Sequence, residues 1–209
     1  MKKITSSKNT RSKYLKYAIG IAVVCLTGFT GISPTPPTNN ATKPGDADIK
    51  ISGTSNLHNW TMEAKGISCP AKFNFLPGHG QPESLTALTL SIPVQDLKSG
   101  ESGMDSRAYT ALKAKQFSNI VFEQTSATLT AGQKDQFQVK SLGNLSIAGV
   151  SKPVAMDAAC LIDADGTITC SGSAKLKMTD YQIKPPTFML GALKTGNDLT
   201  INFKLVVKK

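Results

Sequence analysis

Residues Leu199–Val207 read LTINFKLVV: Leu199, Ile201, Phe203, Leu205 and Val207 fall on one face, Thr200, Asn202 and Lys204 on the other. Side chains of an extended chain point alternately to opposite sides, so a period of two marks a strand with one wet and one buried face. The pattern recurs in most segments after residue 48. Strands of this kind must bring their apolar faces together as a sandwich or a barrel, and their length favours the barrel. No comparable density of catalytic side chains occurs in the chain. The question it poses is what the apolar interior holds.

Working back from that strand, the chain breaks into strands and turns. Asp48–Gly53 is short. Leu57–Gly66 places His58, Trp60, Met62 and Ala64 on one face, and Pro70–Leu76 places Ala71, Phe73 and Phe75 together. PGHGQP (Pro77–Pro82) is a turn, with His79 facing solvent between two glycines. Ser84–Val94 presents Leu88, Leu90, Ile92 and Val94. One helix is expected over Met104–Lys115, with Met104, Ala108, Ala111 and Leu112 at helical spacing and a capping box from Ser102 to Asp105. It should lid one end of the sheet. Asn119–Thr130 and Gln136–Ile147 flank the turn Ala131–Asp135, and GVSKP (Gly149–Pro153) reads as another turn. Thr179–Gly196, with Pro185-Pro186 and the apolar run Phe188–Leu193, breaks the strand pattern and reads as a second lid or short helix.

Val154–Ile162 and Thr167–Met178 form the clearest hairpin. A three-residue loop Ala164–Gly166, with Gly166 left-handed, sets Ile162 opposite Ile168, Cys160 opposite Cys170, Ala158 opposite Gly172, Met156 opposite Ala174 and Val154 opposite Leu176. Every pair falls on the apolar face, and a slip of one residue would break the agreement. Asp163 and Asp165 in this turn lack the further ligands of a calcium loop and read as turn chemistry. In an oxidising compartment Cys160 and Cys170 can bridge as directly opposed residues. Two alternatives stay open: Cys69 bonded to one of them, or buried thiols throughout. The expected fold is all-β: an antiparallel barrel of eight strands with one short helix and an irregular lid segment.

The net charge of +10 is concentrated at the start of the chain. Lys2, Lys3, Lys8, Arg11, Lys13 and Lys16 lie in a stretch without acids, and removing these six takes the charge to +4. No basic cluster with interleaved aromatics remains, which argues against nucleic acid as a partner. The apolar stretch Ala18–Phe29 fits a signal-peptide core and is too short to span a bilayer, which takes about 20 residues. Residues 1–30 are thus read as a signal peptide or N-terminal anchor, Cys25 adding a lipoprotein alternative. Residues 31–47 are a Pro/Thr-rich linker and 48–209 the barrel domain. All three readings of the leader export the domain.

Four stretches then resemble one family. GNLSIAGVSKPV (Gly143–Val154) resembles the G-x-L-T-I-x-G-V-T-K-P-V signature of YceI-like domains. ALKAKQFSNIVFEQTSA (Ala111–Ala127), SIPVQDLKSG (Ser91–Gly100) and GTSNLHNW (Gly53–Trp60) are similar to further family segments, in family order, over about residues 48–209. The three domain cysteines are not part of that pattern. The resemblance implies a lipocalin-like eight-stranded barrel in an exported or periplasmic protein, holding a long isoprenoid or other amphiphilic lipid. It implies no catalytic set.

An eight-stranded barrel either fills with side chains or holds one small ligand. Small inward positions (Ala64, Ala71, Ala158, Gly172, Ala174) beside Trp60, Phe73, Phe75, Phe122 and Phe203 suggest a channel. The expected ligand-lining residues are His58, Trp60, Met62, Phe73, Phe75, Leu90, Phe122, Met156, Ala158, Ala174, Phe188 and Phe203, with His58 near a mouth where it can meet a polar head. The partner is a hydrophobic small molecule drawn from a membrane. No metal or cofactor is expected beyond a bound isoprenoid or fatty-acyl lipid. No G-x-S-x-G, C-x-x-C or Ser/His/Asp arrangement points to an enzyme. The alternative is a structural or surface-interaction barrel with a filled core.

The leader yields the first prediction. If the leader is cleaved, terminal sequencing of protein from its native host should start within about residues 28–40, and full-length protein in the membrane fraction would favour the anchor. Full-length protein in the cytoplasmic fraction would contradict export.

Overall fold

The computed structural model describes residues 47–78 and 80–207. The leader, most of the linker and His79 lie outside the described residues. Eleven strands form one antiparallel sheet: β1 (Ala47–Ser55), β2 (Asn59–Ala64), β3 (Ala71–Phe75), β4 (Pro82–Pro93), β5 (Leu97–Lys98), β6 (Asn119–Ala131), β7 (Gln136–Ile147), β8 (Val150–Ile162), β9 (Ile168–Lys177), β10 (Thr187–Phe188) and β11 (Leu193–Val207). The spatial order is β3-β4-β6-β7-β8-β9-β11-β1-β2-β5, with β10 on β11.

The two sheet edges meet. β2 pairs with β1, and the chain then bends so that β3 pairs with β4. Ser68 and Ser91 exchange backbone hydrogen bonds of 2.9 and 2.8 Å at this corner. In return, β4 continues through the 3₁₀ turn Val94–Asp96 into β5, which pairs with β2. β2 and β3 are therefore two halves of one bent strand. The antiparallel barrel is as expected, but the strand count differs from the expected eight: eleven are present among the described residues, and eight remain only with the two-residue β5 and β10 set aside and β2 and β3 taken as one.

The predicted hairpin register holds at its turn. Ile162 faces Ile168, Cys160 faces Cys170 and Ala158 faces Gly172. Gly166 has φ +83°, and the Asp163 N–H donates to Thr167 O at 2.8 Å. Thr167 N–H donates to the Asp165 carboxylate at 2.9 Å, which ties that acid into the turn. Cys160 and Cys170 form a disulfide with Cα atoms 4.1 Å apart, the spacing of a non-hydrogen-bonded pair. Cys69 is buried and outside the disulfide.

Beyond Ala158/Gly172 the pairing stops. The expected partners Met156/Ala174 and Val154/Leu176 are not paired. The 3₁₀ turn Met178–Tyr181, which packs against β8, β9 and β11, accompanies the parting. Thr179 and Asn197 exchange two hydrogen bonds that pin this turn to β11 (3.0 and 2.9 Å).

Other expectations need correction. GVSKP is not a turn: only Ala148 and Gly149 turn, with φ +51° and +85°, and β8 begins at Val150. Ile147 and Val150 flank this two-residue loop as a hydrogen-bonded pair. By alternation Pro153 points its missing N–H away from β7, towards the part of β8 that β9 does not cover. The helix, α1, runs Ser102–Ala111 rather than Met104–Lys115, and Ser102 lies inside it. There is no capping box, because the Asp105 carboxylate instead accepts from Ser99 N–H (2.8 Å) and Oγ–H (2.7 Å). Of the two readings of Thr179–Gly196, lid or short helix, the helix does not form: the segment is a 3₁₀ turn followed by the short β10–β11 hairpin bordering the cavity, since Pro185-Pro186 forbids helix there.

The disulfide closes a ten-residue separation, which in the chain-entropy account stabilises by about 2–3 kcal/mol. Cys160→Ser with Cys170→Ser should lower unfolding free energy in urea by about that much. An unchanged midpoint would show that the bond adds nothing to the ladder.

Candidate functional site

Burial along β11 changes with position. Leu199 and Ile201 are half-buried, while Phe203, Leu205 and Val207 are buried, Val207 to 2% exposure. β9 shows the same gradient, from half-buried Ala174 and Leu176 to Cys170 and fully buried Ile168. One end of the barrel is filled. There the rings of Phe73 and Phe137 meet edge-on with centroids 6.0 Å apart, and the residual void is about 40 Å³. The other end is hollow, with a cavity of about 760 Å³. Packed interiors contain few voids larger than a water molecule, whereas ligand cavities run from roughly 300 to 1,000 Å³.

The cavity wall is built by the alternation. β1 gives Ile49 and Ile51, β4 gives Leu88, Leu90 and Ile92, and β11 gives Leu199, Ile201, Phe203 and Leu205. α1 closes one side with Met104, Arg107, Ala108 and Ala111, followed by Leu112. That helix is held in place by Asp105, whose carboxyl the Ser99 hydrogen bonds keep below the ordinary carboxylate range despite burial. The Tyr109 hydroxyl adds contacts to Gln95 O and Leu97 O at 2.8 and 2.9 Å. Met178, Tyr181 and Ile183 complete the wall beside the parted strands. Ala155, Ser173 and Lys175 alternate with the inward residues and still border the cavity. The space therefore reaches the outside between β8 and β9 as well as at the mouth.

Nine of the twelve residues expected to line a ligand do line this cavity: His58, Trp60, Met62, Leu90, Phe122, Met156, Ala174, Phe188 and Phe203. Three do not. Phe73 and Ala158 border the small void at the filled end, and Phe75 packs against the core outside both spaces. Nor do the small residues create the hollow. A side chain at Gly53 would overlap the Trp60 ring, and one at Gly172 would overlap the Phe203 ring, so aromatics already occupy that room. Of the five small positions only Ala174 borders the large cavity.

His58 lies in the turn before β2, exposed at the rim, and its Nδ1–H donates to Asn59 O at 2.8 Å. Trp60 Nε1–H donates to Thr54 O at 3.0 Å, which fixes the indole and leaves only its apolar surface for the cavity. The charged residues that border the cavity are Arg107, Lys175, Lys194 and Glu101, all solvent-exposed. Tyr181 was missed by sequence reasoning. It is 2% exposed, and its hydroxyl makes no hydrogen bond among the described residues. Burial raises its pKa, with a smaller contribution from Asp180, so it stands in the wall as a neutral phenol. α1 was visible beforehand in its helical spacing; Tyr181 had no such signal.

Fold and cavity together define an antiparallel barrel of lipocalin-like shape with an apolar cavity at one end. The chain belongs to the YceI family, whose model, the YceI-like domain, matches residues 42–207. Among solved structures it is similar to BcnA of Burkholderia cenocepacia, at 14% identity, TM-score 0.60, with 77% of this chain and 95% of that one covered. A polyisoprenoid-binding domain from Saccharophagus degradans implicated in plant cell wall breakdown matches at 12% identity and TM-score 0.58, covering 80% and 97%. A YceI protein of Campylobacter jejuni matches at 21% identity and TM-score 0.53, covering 70% and 83%. No curated protein matches the sequence.

The two ends make opposite predictions. Ala158→Phe adds a ring to a void of about 40 Å³ and should destabilise the barrel by about 1–3 kcal/mol by overpacking. Ala174→Phe projects into open space and should leave the thermal midpoint nearly unchanged while reducing the capacity for an apolar probe. Equal destabilisation by both would contradict the filled-end, hollow-end division.

Proposed function

We propose that this protein is an exported, non-enzymatic holder of one long-chain amphiphile, an isoprenoid or similar lipid, taken from a membrane. The observation that carries this reading is the apolar cavity of about 760 Å³, open at one end of a barrel whose other end is packed. Burying an apolar chain against this wall contributes roughly 25 cal/mol per Å² removed from water. The ligand class is also supported by the polyisoprenoid-binding domain that shares the fold. The chain runs inward past Trp60, Met62 and Phe122, and the polar end stays at the rim with His58, Arg107 and Lys194. A ligand oxygen reaching Tyr181 meets a donor.

The test is displacement of a fluorescent polyene fatty acid by a long-chain isoprenoid alcohol, at fixed pH. Trp60→Ala should weaken binding more than His58→Ala, because it removes a large apolar contact. His58→Ala removes one partly wet hydrogen bond, worth roughly 1 kcal/mol, or about fivefold in affinity. The reverse order would contradict an apolar-dominated mechanism. No binding in the parent protein would favour the structural-barrel alternative.

A further inference from the structure

Four of the eight exposed large apolar side chains among the described residues gather at one place, the cavity mouth: Leu57 (66% exposed), Phe188 (46%), Met189 (64%) and Leu190 (111%). Leu57 and Phe188 border the cavity, and Met189 and Leu190 form the turn between β10 and β11. We propose that this tip docks the barrel on an anionic phospholipid bilayer with the cavity mouth against the lipid; this rests on the lipid-holding function proposed above.

The tip is built rather than frayed. Met189 and Leu190 have φ +51° and +53°, a left-handed conformation that residues with a Cβ seldom adopt. Gly191 N–H donates to Phe188 O at 3.1 Å and Ala192 N–H to Met189 O at 3.0 Å. Asn56 clamps the neighbouring turn to the hairpin. Its Nδ2 donates to Ala192 O at 2.7 Å, its Oδ1 accepts from Lys194 N–H at 2.9 Å, and its own N–H donates to Lys194 O at 3.1 Å. Leu57 is thereby held beside the tip. Two large apolar side chains are thus presented to water on a fixed turn, where they cannot fold back onto the core.

Charge and size choose the occupant. The charged residues at the cavity border are three cations, Arg107, Lys175 and Lys194, against Glu101. Arg107 places its guanidinium 4.2 Å from the Phe188 ring centroid, so a cation stands directly behind the apolar tip. A stable protein partner needs a contact of about 1,000 Å² or more, which a four-residue projection does not offer. A bilayer accepts a few protruding apolar side chains backed by cations, and it attracts those cations when its headgroups are anionic. The cavity opens behind the tip, so docking there would let an apolar chain pass between bilayer and barrel without crossing open water.

The test uses the full chain with Leu190→Trp, compared with the parent, whose one tryptophan is Trp60. The probe is vesicles of phosphatidylcholine with phosphatidylglycerol, and of phosphatidylcholine alone. The tip tryptophan should shift to the blue with the anionic vesicles, with partitioning about tenfold weaker without the anionic lipid. Met189→Asp with Leu190→Asp should reduce vesicle partitioning by about tenfold or more and leave the thermal midpoint and extractable lipid unchanged. A tip emission that ignores both vesicles, in protein that still carries extractable lipid, overturns docking and leaves the holding function standing. A blue shift in protein that carries no lipid supports docking and rejects the holding function. A shift that grows with protein concentration in the absence of vesicles identifies a second copy as the occupant and overturns the proposal.

Discussion

The hollow depends on where one ladder stops. β8 and β9 are joined by pairing and a disulfide from Ile162/Ile168 to Ala158/Gly172, then part. On the joined side the eight-stranded circumference is small enough for phenylalanines to fill. On the parted side the same strands leave a cavity of about 760 Å³, bordered by the Met178–Tyr181 turn instead of a ladder. Backbone hydrogen bonding thus fixes where side chains can meet across the barrel. The inward residues near the parting, Met156, Ala174 and Leu176, are half-buried and border this cavity.

Much of this was legible beforehand because it is local. Alternation identified the strands, and the hairpin from Val154 to Met178 declared its own register through its apolar pairs and Gly166. What alternation cannot report is radius. It says that Ala158 and Ala174 both face inward, but not that one meets a packed end and the other an open one. That difference follows from the ladder ending at Gly172 and from the corner at Ser68 and Ser91, both set by residues distant in sequence. Ala64, Ala71, Ala158 and Gly172 were accordingly misread as channel markers, whereas Ala174 does border the cavity. Gly172 is the seat of the Phe203 ring. Tyr181 was invisible for a related reason: its value lies in a missing partner, which only packing reveals.

The structural relatives share the barrel at 12–21% identity. A fold specified by period-two apolarity and turn geometry tolerates that divergence, since many apolar side chains satisfy the same pattern. In the proposed holding function, any preference among ligands rests on the few cavity positions where this chain departs from bare apolarity: the rim with His58, Arg107 and Lys194, and the Tyr181 phenol.

The central claim is that the open end of the barrel is a place for one lipid chain. Native mass spectrometry of the intact protein, purified from a membrane-containing host, measures this most directly. The account predicts a main species heavier than the polypeptide by the mass of a single long-chain amphiphile, returning to the bare mass after organic extraction. A bare polypeptide mass from the outset, with no lipid recovered in the extract, would contradict it.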